Sequence, residues 1–135
     1  MSYKKTFIDL SKKAFKNELE EKFSKESAYN LISNYFNDIS ASLKDEAEVA
    51  GKTLKIKIEE KCWSIQLNQQ SELSIRFYKD KITVKVKPGF QWREETLKYE
   101  QGRFYDRSKD MGLSEELLDI YLKEAFESTI NQLAR

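Results

Sequence analysis

The chain is expected to fold as an α+β sandwich, and two features of its apolar pattern say so. Apolar residues recur at helical spacing before Gly51 and after Ser114, but at every second position from Leu54 to Val86. A third observation limits the size of the answer. With 135 residues, 39% of them hydrophobic, and a mean hydropathy of −0.73, the chain suits a single α+β domain over 1–135. The expected architecture is an antiparallel meander sheet of four to six strands, with two N-terminal helices and one C-terminal helix packed on one face.

Residues 5 to 50 carry the first helical pattern. Ile8, Phe15, Leu19 and Phe23 form a stripe, which Phe7, Leu10 and Ala14 widen. Ser24 is the expected break and N-cap of a second helix. There Ala28, Leu31, Ile32, Tyr35, Phe36, Ile39, Leu43 and Ala50 share a face, and Gly51 provides the stop. The first helix is apolar over a wider arc than one sheet contact needs. This predicts a second contact for it, against the second helix or in a homodimer through helix 1.

From Thr53 the period becomes two. Leu54, Ile56 and Ile58 form the first inward set, followed by Trp63, Ile65 and Leu67. Leu73, Ile75 and Phe77 form the third and Ile82, Val84 and Val86 the fourth. The polar turns Glu59–Lys61, Asn68–Ser71 and Lys79–Asp80 separate four short strands with one buried and one wet face. Burying each inward Leu, Ile or Phe is worth roughly 1.5–3 kcal/mol, enough to set the register.

Pro88-Gly89 ends this regularity. Between Phe90 and Arg107 one or two further strands are expected, then an irregular loop through Met111-Gly112. Ser114 caps the final helix, Glu115 and Glu116 suit the positive end of its dipole, and Leu118, Tyr121, Leu122, Ala125, Phe126, Thr129 and Leu133 form its stripe. In element order alone the chain resembles the helix-grip fold of START-like ligand-binding proteins, without that fold's opening strand. The resemblance implies a small-molecule cavity between sheet and helices.

Several chemistries lack their side chains. One Cys cannot form an internal disulfide, and without His the Cys/His zinc sets and the Ser/His and Cys/His catalytic pairs are impossible. No glycine-rich phosphate loop or catalytic signature occurs. Adjacent acids on a strand, such as Glu94-Glu95, point to opposite faces and do not converge. Asp38, Asp45, Glu46 and Glu48 lack metal-loop spacing. The expectation is therefore no catalytic residue, no cofactor and no metal.

Net charge is +1, which gives no field to recruit nucleic acid or membrane. No apolar run reaches signal-peptide or membrane-span length. With a lone Cys62, this reads as cytoplasmic. The excess of Lys over Arg, with frequent Asn and Ile, has the flavour of an AT-rich bacterial genome.

Two surfaces are candidates for binding. Trp92, Arg93, Tyr99, Arg103 and Tyr105 have the composition of protein-interface hot spots. Lys55, Lys57, Arg76, Lys85 and Lys87 fall on the wet sheet face, which Arg93 could join, and nine basic residues face four acidic ones over 52–87. That face could track a phosphate backbone, but it lacks the stacking aromatics of single-strand binders. The expected function is a small non-catalytic bacterial binding or regulatory module acting through protein contacts. Nucleic-acid binding on the basic face and small-molecule binding in a cavity are the alternatives.

Overall fold

The structure, a computed structural model, describes residues 3–135. Helices α1 (Tyr3–Ala14), α2 (Lys16–Ser42) and α3 (Lys44–Ala50) lead through a 3₁₀ turn at Gly51–Thr53 into the sheet. Its strands are β1 (Leu54–Ile58), β2 (Cys62–Leu67), β3 (Ser71–Phe77), β4 (Lys81–Lys87), β5 (Arg93–Glu100), β6 (Arg103–Asp106) and β7 (Met111–Gly112). Helix α4 (Glu115–Leu133) closes the chain. All seven strands pair antiparallel in sequence order, so the sheet is a meander, with more strands than expected.

Alternation sets the register. Ile56 pairs with Ile65, Ile65 with Leu73, Leu73 with Val86, and Ile75 with Val84. Every inward residue of β1 to β4 therefore shares the face covered by α2 and α4. Trp63, Leu73, Ile75, Ile82 and Val86 are fully buried there, with Ile32 and Phe36 from α2 and Leu117, Leu118 and Tyr121 from α4. Leu54, Ile56 and Phe77 are partly buried at the margins. Ser114 caps α4 as its spacing predicts, its Oγ accepting from the Leu117 N–H at 3.1 Å.

The helix boundaries differ from expectation. Ser24 is not an N-cap but lies inside α2, and the break comes at Phe15. Nothing at Ser24 interrupts the backbone, and Glu21–Lys25 (2.8 Å) and Lys22–Glu26 (4.0 Å) pair across it at i,i+4 spacing. The second helix also stops short of Ala50. Leu43 leaves helical geometry at φ −111° and ψ 20°, and α3 restarts after it, ending at Gly51 with φ 58°.

The stretch after Pro88 holds three strands, one more than the upper expectation. Met111-Gly112 is not loop: it pairs with Tyr105 and Asp106 as β7. Two residues are too few for a periodic signal, which is why alternation missed them. Phe90 and Trp92 precede β5 and are exposed.

The packing predicts a contrast between two phenylalanines. Phe36→Ala empties a fully buried site beside Trp63 and should cost about 3–5 kcal/mol in urea unfolding. Phe15→Ala, at a ring 63% exposed, should stay within about 0.5 kcal/mol of wild type.

Candidate protein-binding surface

The fold divides the five aromatic and arginine candidates. Trp92 is 52% exposed just before β5, with the Lys87 ammonium 5.2 Å from its ring. Arg93 pairs with Val86 on the helix-facing side, where its guanidinium meets Glu124 and lies 3.5 Å from Glu95. Tyr99 sits at the far end of β5, about 20 Å away by strand rise. Its ring packs 5.3 Å from Phe104 and carries the Lys25 ammonium at 5.2 Å. Arg103 and Tyr105 alternate outward from Phe104, and the guanidinium lies 4.9 Å from the Tyr105 ring. The five therefore form no single patch.

The basic face also changes on inspection. Lys55, Lys57, Arg76, Lys85 and Lys87 do share the uncovered side of the sheet. Arg93 does not join them, because it alternates with the wrong parity. The register places Glu72 opposite Lys87 and Glu94 opposite Lys85, so cross-strand carboxylates reduce the positive field.

Glu95 takes part in a cluster that sequence spacing did not reveal. Glu95 points inward, away from Glu94, as parity requires, yet it meets Asp106 from the inward side of β6. Tyr121 of α4 donates to Asp106 Oδ2 at 2.5 Å, and Ser108 Oγ donates to Oδ1 at 2.7 Å. Lys109 Nζ lies 2.6 Å from Glu124 and 3.4 Å from Glu95. Two cations, Arg93 and Lys109, thus face three carboxyl groups.

The surroundings push the two facing carboxyls in opposite directions. Burial, then the adjacent Asp106, raise the pKa of Glu95 against the pull of Lys109. Its Oε2 is buried without a hydrogen-bond partner. Asp106 goes the other way, to about 2. Burial opposes its ionisation, but hydrogen bonds from Glu95, Tyr121, Ser108 and the Lys109 N–H outweigh it. The signal for Asp106 was present, since it alternates with buried Phe104 in a four-residue strand.

Another exposed surface lies elsewhere. Residues 3 to 23 include no buried position, and of these only Ser11 is partly covered. Tyr3, Phe7, Leu10, Phe15, Leu19 and Phe23 are each 51–71% exposed, with Ile8 at 41%. Tyr3, Phe7, Leu10 and Ala14 follow i, i+4, i+7, i+11 spacing on one face, while Lys5, Lys12 and Lys16 fall opposite. The helical run continues across Phe15, whose N–H reaches Ser11 O at 3.0 Å and whose carbonyl accepts from Leu19 at 3.1 Å. This amphipathic arm is an overhang of the long helix beyond the sheet. At its base, Phe23 shares shallow clefts with Tyr99 and Arg103.

No group of three or more His, Cys, Asp or Glu is placed to hold a metal among the described residues, and no helix there is long and apolar enough to cross a membrane. No family model matches the chain, and no curated protein matches it. Among solved structures it is similar to frataxin from Psychromonas ingrahamii, at 9% identity and a TM-score of 0.39 over 77% of this chain and 92% of that one. A likeness at that level assigns no role to any residue here.

The carboxyl cluster predicts opposite pH effects. Asp106 stabilises the fold above its ordinary pKa of 3.8, and that contribution is lost as pH falls through about 2. Glu95 contributes most below its ordinary 4.5 and loses that contribution as pH rises through its raised value. Glu95→Gln keeps a donor toward Asp106, so thermal melts taken upward from pH 4.5 should decline less than wild type. Asp106→Asn should lower neutral-pH stability by about 1–3 kcal/mol, because the buried Tyr121 hydroxyl loses its charged acceptor.

Proposed function

We propose that the chain is a small non-catalytic binding or regulatory module of a bacterial cytoplasm, acting through protein–protein contacts. The observation that carries this is the exposed apolar arm of residues 3–23. Seven large apolar side chains exposed on one helical arm mark a contact surface, because leaving them in water forgoes the stabilisation that burial supplies. Tyr99 and Arg103 extend the surface at the base of the arm, through the clefts they share with Phe23. Trp92 stands apart as an exposed ring, and Arg93 is engaged by Glu124 and Glu95.

The rival surfaces offer less. The centre of the space between sheet and helices is filled by Trp63, Phe36, Tyr121 and Phe104, all buried, and the apolar space that remains opens to solvent toward Leu43. The basic sheet face is interrupted by Glu72 and Glu94. Nucleic-acid binding would rank Lys57 and Lys85 above the arm.

Cross-linking in the producing cell, read by mass spectrometry, tests the proposal. Replacing Phe7, Leu10 and Leu19 with Asp should abolish the cross-linked species, with each residue contributing about 2 kcal/mol or more if it is a hot spot. Lys57→Ala and Lys85→Ala should each cost roughly 0–1 kcal/mol. Cross-links that survive the arm substitutions but vanish with the lysine variants would sink the reading.

A further inference from the structure

An open apolar cleft lies at the opposite end of α2 from the arm. Ile39 and Leu43 form one wall, Leu122, Phe126 and Ile130 of α4 the other, and Leu54, Ile65 and Leu67 the floor. Its volume is about 720 Å³. A second, smaller depression shares Ile39, Asp119 and Leu122 with it and continues between the helices to Leu31. Together they make a groove along the α2–α4 seam.

The groove has a charged rim of one sign. Asp38, Glu46, Glu115, Asp119 and Glu127 line it, against Lys123 alone. Helix α1 has the opposite balance, with Lys4, Lys5, Lys12 and Lys13 against Asp9. The lengths also agree. Helix α1 has 12 residues, or about 18 Å, and α4 runs about 17 Å from Asp119 to Ile130. An amphipathic helix laid in an apolar groove is a recurrent way for proteins to recognise one another.

We infer that the occupant of this groove is the α1 arm of a second copy of the chain. The inference rests on the arm being a protein-contact surface, and it names the partner and the receptor. Phe7, Leu10 and Tyr3 enter the cleft over Leu54 and Leu122, and Lys4 and Lys13, which flank that face on either side, lie along the acidic rim. Because arm and groove sit at opposite ends of α2, two antiparallel copies place each arm over the other's groove. The contact is then reciprocal and closes at two subunits.

Sedimentation of the full chain tests this. Wild type should dimerise below about 100 µM, and less tightly as salt rises from about 50 to about 500 mM. Ile130→Arg, at an exposed groove residue, should weaken the dimer about thirtyfold, as a hot spot of about 2 kcal/mol requires. Reversing the arm (Lys4, Lys5, Lys12 and Lys13 to Glu) or the rim (Glu46 and Glu127 to Lys) should each give monomers. Mixing the two reversed proteins should restore a one-to-one heterodimer, which misfolded variants could not form. A wild-type monomer at about 100 µM overturns the inference, including the case where the arm instead binds phosphatidylserine vesicles. A dimer lost on Phe7→Asp with Leu10→Asp but untouched by Ile130→Arg and the rim reversal overturns the groove and leaves the arm as a contact surface.

Discussion

A meander of this kind has one apolar face and no second sheet to cover it, so its stability depends on how much helix lies across that face. The inward residues of β1 to β4 converge on Trp63, and α2 and α4 supply the cover through Phe36 and Tyr121. Because the strands alternate without interruption, the opposite face must be polar along its whole length. Lysine on that face is then a consequence of the fold before it is a clue to a ligand. Glu72 and Glu94 in the cross-strand register fit a solvated sheet surface better than a phosphate track.

The same constraint accounts for the two unpartnered surfaces. The sheet buries α2 at Ala28, Ile32 and Phe36, and the first two or so turns of the helix, Lys16 to Phe23, extend toward the N-terminus without cover. Helix α4 is held against β5, β6 and β3 by charge and hydroxyl pairing. Arg93 and Lys109 reach Glu124, Tyr121 reaches Asp106, and Thr129 Oγ1 lies 2.5 Å from Ser71 Oγ. Where Tyr35 donates to Asp119 the two helices are bridged; beyond that point the seam widens into the groove.

The sequence exposed most of this, and its failures have physical causes. Strict alternation over 54–87 located four strands and their inward residues, and the Ser114 cap and Gly51 stop bounded two helices. Ser24 misled because a serine can cap a helix or sit within one, and only the surrounding ion pairs distinguish the cases. Met111-Gly112 is too short to show a period. The wide apolar arc of α1 was legible in the sequence, and the structure leaves it exposed. The Glu95–Asp106 meeting was not, since it depends on a pairing between strands of eight and four residues.

The arm's order has its own explanation. A free peptide of a dozen residues is marginal as a helix in water, because nucleation is unfavourable and fraying starts at the ends. Here the buried half of α2 supplies the nucleus, and the hydrogen bonds through Phe15 carry the helix into α1 without a gap. The arm is thus ordered before it meets anything. Docking then orders little more than side chains, which lowers the entropic cost of association relative to a segment that folds on binding. A pre-formed helix also presents Tyr3, Phe7, Leu10 and Ala14 in fixed register, so a receptor can read their spacing as well as their hydrophobicity. Thus the overhang that the short sheet leaves uncovered owes its helical order to the buried half of α2.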